Sequence, residues 1–158
     1  MKKIKKFEYI QKGSDLYRDN RGDIQNYKLT EKINLVATIT SKPNTLRSNH
    51  YHPIQQQKCL LVSGQYISIY KDLKKKNSSR ITHVVNEGDL VVTEPLVAHT
   101  MVFTKNSIFL NLVNGEREHK NYGKTHTIPI KLISDSEKNF LFNNYKFVCR
   151  ICNKNEFT

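Results

Sequence analysis

The chain has 158 residues, of which 37% are hydrophobic, and its 26 Lys and Arg outnumber its 14 Asp and Glu to give a formal net charge of +12 at pH 7. This length corresponds to one ordinary domain. No apolar run approaches the ~20 residues of a membrane span, and the basic residues at the N-terminus are not followed by the apolar segment of a secretory signal. We therefore expect a cytoplasmic protein that is neither secreted nor embedded in a membrane. The positive charge favours polyanionic partners, but nucleic acid is not among those we expect, because no aromatic residues are interleaved with the basic ones as in RNA-binding sheets.

Short runs of β-branched and aromatic residues predict β-strands along the first 133 residues. In chain order, strands are expected at residues 6–10, 32–39, 59–62, 65–70, 81–85, 90–93, 99–103, 107–113 and 127–133. Ser63 and Gly64 predict a hairpin between the third and fourth of these strands, and the Lys-, Asn- and Ser-rich residues 74–79 predict another hairpin tip. Short, regularly spaced strands of this kind indicate an all-β sandwich or barrel.

A change of pattern follows the last predicted strand. Residues 135–142 carry the pattern of a short helix, for which Ser134 or Asp135 is a suitable N-cap. We therefore assign residues 1–133 to a β-barrel, with its core at about residues 10–133, and residues 134–158 to a short C-terminal appendage.

The most informative part of the sequence contains two His residues separated by one position. His50 and His52 share one face if they lie on a strand, because side chains alternate along a strand with a period of two. Both imidazoles are then expected to point into the barrel. The residues that complete the pattern downstream are Gln57, Gly64, Gly88, Pro95 and His99.

These residues resemble the two sequence motifs of the cupins, which are small double-stranded β-helix or jelly-roll barrels. In the first cupin motif a Glu follows the His pair, and Gln57 occupies the position of that Glu here. The second cupin motif ends with a His, which corresponds to His99. In metal-dependent cupins these four residues ligate Fe, Mn, Ni or Zn. The resemblance therefore implies one divalent transition metal at His50, His52, Gln57 and His99, with Gln57 a weak, uncharged ligand. A barrel without metal stays open as the alternative.

The same stretch is also similar to metal-free cupins that act on nucleotide-activated sugars. The 3,4-ketoisomerases of deoxysugar nucleotides carry Arg-Gly-x-His-x-His followed by a Gln, and Ser48 stands here in place of the Gly. This resemblance implies a nucleotide-linked sugar as ligand, with His50 and His52 moving protons next to its ketone. An imidazole suits this task because its unperturbed pKa of about 6.5 allows both uptake and release of a proton near neutrality. Cupin domains of capsule biosynthesis, which read Gly-Asn-His-x-His and keep the Glu, are similar as well.

Four further residues complete the candidate site. Tyr66 and Tyr70 share a face of their predicted strand and are candidate acids toward an enolate. Arg47 is a candidate for a bidentate contact with a diphosphate. His119 lies in a long polar stretch that could form a lid or a dimer arm, and Gln57 joins Arg47 and His119 as a candidate substrate-binding residue. His83 is expected on the surface of its strand.

The three Cys residues have different surroundings in the sequence. Cys59 lies in an apolar run and is expected to be a small core residue. Cys149 and Cys152 form half of a zinc knuckle, and the Cys-Arg-x-Cys that they define resembles the start of sugar C-methyltransferases. Because no second ligand pair is evident, we expect no complete zinc site within one chain; a zinc shared across a dimer, a redox pair and two plain thiols stay open.

Two functional hypotheses follow from these resemblances. The first is an isomerase or epimerase of a nucleotide-activated keto-deoxysugar in surface-polysaccharide or glycan biosynthesis, with the His pair as acid and base. The second is a metal-binding cupin module that is sensory, structural or accessory to a sugar-modifying enzyme; a metal-dependent dioxygenase is a third. In each case we expect a homodimer, because pairing through sheet edges removes exposed edges.

Overall fold

The computed structural model describes residues 8–115 and 126–145. Within these ranges the chain forms twelve strands and one helix. The strands are β1 (Glu8–Gln11), β2 (Ser14–Asp19), β3 (Gly22–Asn26), β4 (Leu35–Ser41), β5 (Leu46–Tyr51), β6 (Gln57–Ser63), β7 (Gln65–Asp72), β8 (Ile81–Asn86), β9 (Leu90–Thr93), β10 (Val97–Phe103), β11 (Ser107–Val113) and β12 (Ile128–Pro129). The helix is α1 (Asp135–Asn143).

Ten of these strands form two five-stranded antiparallel sheets that enclose the core as a jelly-roll barrel. The first sheet has the order β1-β9-β6-β11-β4 and the second the order β12-β5-β10-β7-β8, while β2 and β3 form a separate hairpin. The main core lies between the two sheets. It contains Cys59, Leu61, Val91 and Phe109 from the first sheet and Tyr66, Val85, Met101 and Phe103 from the second. The all-β barrel expected from the sequence is therefore the observed architecture, and Cys59 is a buried core residue as predicted.

The link between β6 and β7 corrects one prediction. Ser63 and Gly64 do not close a hairpin, because β6 belongs to the first sheet and β7 to the second. Gly64 has φ +98°, and a Cβ at this position would lie 2.2 Å from Ser107 Oγ. Only a glycine fits such a close corner, at which the chain crosses between the sheets. The second predicted hairpin tip is confirmed, since β7 and β8 pair directly on either side of residues 74–79.

The last predicted strand is much shorter than expected. Only Ile128–Pro129 pairs with β5, although the sequence predicts a strand over residues 127–133. Proline has no N–H to donate to a ladder, so the strand ends there. The hairpin of β2 and β3 was not predicted at all. Its turn is held by Asp19, whose Oδ1 accepts a hydrogen bond of 2.9 Å from the N–H of Arg21.

Helix α1 covers the outer face of the second sheet. Ser134 is its N-cap and forms a capping box with Glu137, which satisfies two backbone N–H groups at the helix start. An apolar cluster lies on this face. Its buried members are Ile67, Ile69, Val102 and Ile133, and the side chains packed against them are Leu46, Leu132, Leu141, Phe142 and Tyr145. This apolar layer explains why both faces of β7 are buried. The boundary at residue 134 stays a prediction, and Cys149 and Cys152 lie outside the described residues.

A search of the described ranges for a helix of sufficient length and apolar character to cross a membrane finds none.

Candidate active site

Three imidazoles meet at one end of the barrel. His50 lies on β5, His52 directly follows that strand, and His99 lies on β10 as the cross-strand partner of His50. The ring centroid of His50 is 4.9 Å from that of His52 and 4.8 Å from that of His99, and the other two rings are 5.4 Å apart. One nitrogen from each ring lies within 4.8 Å of the other two. The structure thus brings together the three His residues that the two motifs predicted.

A β-bulge aims the first of these imidazoles. Thr100 pairs with Ser48 and His99 pairs with His50, which leaves Asn49 as an extra residue on β5. Ser48 has φ +74° and Asn49 has φ +57°, both in the left-handed region. That conformation is costly for residues with a Cβ, and Asn tolerates it better than most. Ser48 occupies the position where the 3,4-ketoisomerase pattern has Gly, so the structure gives a physical reason for that pattern.

The side chain of Asn49 holds the bulge in place. Its Oδ1 accepts hydrogen bonds from the backbone N–H groups of Leu132, at 3.1 Å, and Ile133, at 3.4 Å. Its backbone carbonyl accepts a further bond of 2.9 Å from the N–H of Ile130. The segment after β12 is therefore fixed beside the His cluster by one residue.

Backbone carbonyls set the tautomers of two imidazoles. His52 Nδ1 lies 2.7 Å from the carbonyl oxygen of His126, and His99 Nδ1 lies 3.1 Å from that of Val97. A carbonyl only accepts, so each Nδ1 is the donor and the lone pair of the neutral ring is on Nε2. Burial lowers the pKa of His99, against the opposing charge of Glu8. His99 is therefore neutral at neutral pH, and its Nε2 has no hydrogen-bond partner among the described residues.

A small cavity opens beside the cluster. Its volume is about 240 Å³, and it is lined by Ile39, Leu46, Arg47, Ser48, His50, Gln57, Met101 and Phe109. Gln57 is 8% exposed, and its Oε1 has no hydrogen-bond partner in the described part of the chain. An uncharged acceptor and an imidazole thus face the same space, which suits a polar ligand such as a sugar.

The two candidate tyrosines lie in different surroundings. Tyr70 is the cross-strand partner of His99, so the two side chains share a face of the sheet. Burial, together with the charge of Glu8, raises the pKa of Tyr70 to about 12, which keeps its hydroxyl protonated as an acid requires. Tyr66 is fully buried against Phe103 in the core, about 13 Å further along β7 at the usual rise per residue. The structure therefore does not bring Tyr66 to the cluster, and its catalytic role stays a prediction.

Arg47 lies at the rim of the small cavity. Its Nε donates to Ser41 Oγ at 2.5 Å and its Nη2 to the backbone oxygen of Thr40 at 2.6 Å, so the guanidinium plane is fixed while the side chain stays exposed. This placement suits the predicted contact with a diphosphate. His119, predicted as a substrate-binding residue, lies outside the described residues.

A buried carboxylate on β1 is the main site feature that the sequence interpretation missed. Glu8 is 2% exposed. Its Oε1 accepts a hydrogen bond of 2.5 Å from Ser68 Oγ and lies 3.2 Å from His83 Nε2, and its Oε2 accepts one of 2.7 Å from Thr93 Oγ1. Ser68 is two residues from Tyr70 on the same strand and the same face, so this network lies behind the His cluster within the barrel.

His83 is consequently not the surface residue that was expected. Its side chain is 15% exposed, and its ring lies 5.4 Å from that of Tyr70. One signal could have found the network: alternation on the predicted first strand places Glu8 on the same face as Ile10, which is a core position. A carboxylate on a core face requires partners, because an unpaired buried charge is costly.

Comparison with known proteins gives matches among solved structures only. No protein-family model and no curated protein matches the sequence. A 3,4-ketoisomerase from Helicobacter canadensis is 18% identical, with a TM-score of 0.63 over 86% of this chain and 97% of that chain. A His-to-Asn variant of a 3,4-ketoisomerase from Thermoanaerobacterium thermosaccharolyticum, in complex with TDP-4-keto-6-deoxyglucose, is 15% identical, with a TM-score of 0.63 over 96% and 98%.

A third structure belongs to a different reaction class. A dTDP-4-dehydrorhamnose 3,5-epimerase from Bacillus anthracis with TDP and PPi bound is 16% identical, with a TM-score of 0.60 over 76% of each chain. Likeness at this level of identity shows a shared fold. The cupin jelly-roll barrel predicted from the two motifs is thereby confirmed.

The Glu8 network predicts how stability depends on pH. Burial raises the pKa of Glu8, but its polar partners lower the pKa further, so that it lies below the ordinary value of 4.5. These partners are His83, through a hydrogen bond and its charge, His99, through its charge, and Ser68, through a hydrogen bond. A lowered folded-state pKa contributes stability that is present above the unfolded pKa and is lost as the pH falls through the folded one. Urea unfolding of the wild type between pH 7 and pH 3 is therefore expected to show a decline below about pH 4.5.

The variant Glu8→Gln isolates this contribution. It is expected to unfold at lower urea at pH 7, by about 1–3 kcal/mol, and to show a flatter acid decline. Glu87→Gln, at an exposed position, is the matched control and is expected to behave like the wild type. If the free energy of unfolding declines with falling pH as steeply in Glu8→Gln as in the wild type, other carboxylates cause the decline.

Proposed function

We propose that this protein is an isomerase or epimerase of a nucleotide-linked keto-deoxysugar. The observation that carries the proposal is the cluster of His50, His52 and His99, in which backbone carbonyls orient the rings of His52 and His99 beside a small cavity. Solved proteins of the same fold that act on such sugars support it, among them 3,4-ketoisomerases and a 3,5-epimerase.

The chemistry requires a base and an acid on either side of an enolate. In a 3,4-ketoisomerisation, a base removes the proton from the hydroxyl-bearing carbon next to the ketone, and the electron pair passes into the adjacent carbonyl. The former carbonyl carbon then takes up a proton while the neighbouring hydroxyl loses one, so the ketone and the hydroxyl exchange places without a net change in oxidation. An epimerisation shares the first step and returns the proton to the same carbon from the opposite face.

Residues of the cluster supply these groups in the proposal. His50 borders the cavity and the ring of His52 lies 4.9 Å from that of His50, so the pair transfers the carbon-bound protons. Tyr70, held protonated beside His99, is placed to donate a hydrogen bond or a proton to the developing oxyanion. Gln57 Oε1 accepts from a sugar hydroxyl, and Arg47 contacts the diphosphate.

Replacement of either paired His tests this assignment. With TDP-4-keto-6-deoxyglucose in D₂O, the wild type is expected to exchange a carbon-bound proton and to form an isomer, both of which NMR follows. His50→Asn and His52→Asn are expected to lose at least about a hundredfold in rate, because each lacks a general acid–base group, and to keep the native circular dichroism spectrum.

The matched control is His126→Asn, because His126 contributes its backbone carbonyl to the cluster. This variant is expected to keep a rate near that of the wild type. If His50→Asn and His52→Asn retain the wild-type exchange rate, the His pair is not the base and the proposed mechanism fails.

A metal-binding cupin module is the second candidate function. The observation that favours it is the same convergence of three imidazole nitrogens within 4.8 Å, with two rings oriented by backbone carbonyls as the ligands of metal sites are. Three neutral imidazoles fit a divalent transition metal such as Zn, Fe, Mn or Ni. His50, His52 and His99 would hold it, with Gln57 as an uncharged fourth ligand, and the ion would polarise a bound carbonyl. A metal-dependent dioxygenase stays a prediction from resemblance alone.

Metal analysis distinguishes the two candidates. Protein purified without chelator and without added metal is expected to contain no stoichiometric transition metal, and its isomerase rate is expected to be insensitive to EDTA. One equivalent of metal that His99→Ala removes would favour the module instead. Gln57→Glu is expected to strengthen the binding of added Zn²⁺, since it adds a negative ligand, and an unchanged affinity would place residue 57 outside the coordination sphere.

We also propose a homodimer that pairs through strand β4. This strand ends the first sheet, and no described strand pairs with its outer edge. Val36 on β4 is 58% exposed, and Val62 and Ile108 on the neighbouring strands are 46% and 40% exposed on the same outer face. A second copy of β4 would satisfy the edge and cover Val36. The cytoplasmic location and the role in polysaccharide biosynthesis stay predictions.

The edge contact predicts a variant that is monomeric. In size-exclusion chromatography with light scattering, the wild type is expected at twice the 18.5 kDa chain mass and Val36→Lys at the chain mass. The Lys at position 36 of one copy would lie close to the Lys of the other copy, and the repulsion between the two charges would oppose pairing of the two β4 edges. Leu16→Lys, at a comparably exposed position on the β2–β3 hairpin, is expected to stay dimeric. A Val36→Lys protein that remains dimeric would show that copies associate elsewhere.

A further inference from the structure

The contact between Glu8 and His83 joins the edges of the two sheets. β1 is the end strand of the first sheet and β8 is the end strand of the second. Glu8 Oε1 lies 3.2 Å from His83 Nε2, and the hydroxyl groups of Ser68 and Thr93 donate hydrogen bonds to the same carboxylate. Because an ionised carboxylate only accepts, Nε2 carries the proton in this contact. Three partners therefore fix the carboxylate of Glu8, and Glu8 in turn orients the imidazole.

The imidazole of His83 also packs against Tyr70. Ser68 is the cross-strand partner of His83, so Tyr70, two residues further along the same face of β7, is its diagonal neighbour. The two ring centroids are 5.4 Å apart, and the ring planes are tilted by 54°. A tyrosine side chain has only two χ angles, so contact with one side of its ring restricts the direction of its hydroxyl group.

Tyr70 connects this contact to the His cluster. Its cross-strand partner on β10 is His99, and its ring neighbour on β8 is His83. The side chain of Tyr70 is buried, so its position is set by the residues around it. The series of Glu8, His83 and Tyr70 therefore leads from the edge of the first sheet to the candidate site.

Packing alone would not require a charged group at this level of the barrel. One step deeper on the same faces, Ile10 on β1 and Val85 on β8 pack in the main apolar core. A buried pair of charged groups is often no more stabilising than apolar side chains of similar volume. The polar pair lies instead at the level next to Tyr70, where a fixed hydroxyl group has a chemical use.

We propose that Glu8 and His83 are positioning residues of the proposed isomerisation, which hold the hydroxyl group of Tyr70 toward the developing oxyanion. The role of Tyr70 as an acid rests on the proposed function, but the orientation of its ring is measurable without turnover. Neither Glu8 nor His83 touches the sugar, and both act through Tyr70. A misplacement of an acid by about 1 Å lowers a rate by up to about a hundredfold, so the loss is measurable in kcat.

A double-mutant cycle tests whether His83 acts through Tyr70. His83→Leu removes the donor to Glu8 and is expected to lower kcat with TDP-4-keto-6-deoxyglucose by about tenfold or more, with little change in KM. Tyr70→Phe removes the hydroxyl group and keeps the ring. In the Tyr70→Phe background, His83→Leu is expected to cause no further loss, because the group through which it acts is already absent. An equal loss of kcat in both backgrounds would make His83 a structural residue and overturn the proposal.

Conservative replacement gives a second readout. His83→Gln retains an N–H donor for Glu8 and is expected to recover most of the kcat that His83→Leu loses. The matched control is Tyr9→Phe, because Tyr9 is adjacent to Glu8 but lies on the opposite face of β1, and its kcat is expected to equal that of the wild type. Full activity of Tyr70→Phe would refute the acid role on which the inference rests.

NMR of tyrosine isotopically labelled at Cζ tests the orientation without substrate. The chain has 8 Tyr residues, and the signal of Tyr70 is the one missing from Tyr70→Phe. Glu8→Gln and His83→Gln are each expected to shift this signal and to leave that of Tyr17, on the exposed β2–β3 hairpin, in place. These two variants keep the orientation testable even if His83→Leu does not fold.

The NMR result separates this inference from the proposed function. An unshifted Tyr70 signal in Glu8→Gln would overturn the inference even if the enzyme is active. If the signal responds to both Glu8→Gln and His83→Gln while the wild type turns over no keto-sugar, the orienting contact stands and the proposed isomerase function fails.

Discussion

The hydrogen bonds of the Asn49 side chain hold the candidate site together. They fix a two-residue left-handed bulge on β5, and that bulge turns His50 toward His99. The same bonds hold residues 132 and 133, from which the chain enters the capping box of α1. One amide group thus links the direction of a candidate catalytic side chain to the segment that covers the outer face of the second sheet. An apolar side chain at this position would leave two partly buried backbone donors without their acceptor.

Charged groups lie in two different surroundings near the candidate site. Lys42 and Arg47 line a groove beside β4 and β5, whereas the carboxylate of Glu8 is buried within the barrel. Burial alone would make His99 a poor base, and the charge of Glu8 opposes that effect. The site has a Gln where metal-dependent cupins have a Glu, so its negative charge comes from a different strand.

Much of this site could be predicted because its determinants are local. The alternation that unites His50 and His52 depends on one strand, and the spacing between Pro95 and His99 needs one turn. Glu8 could not be assigned to the site in this way, since its hydrogen-bond partners lie 60 and 85 residues away in the chain. The hairpin predicted at Gly64 failed for a related reason. A glycine turn between two apolar runs looks the same whether the strands pair or separate into different sheets, and only the contact with Ser107 distinguishes them.

Tyr66 and Tyr70 show the limit of periodicity most clearly. Alternation correctly places both on one face of β7, but it contains no information about how far along the barrel the ligand reaches. That depth is set by which residues face them from β10: His99 opposite Tyr70, and Phe103 opposite Tyr66. An aromatic partner closes the interior at one level and an imidazole leaves it polar at the other. The extent of the candidate site is therefore a property of strand register, which arises only when β5, β7 and β10 assemble.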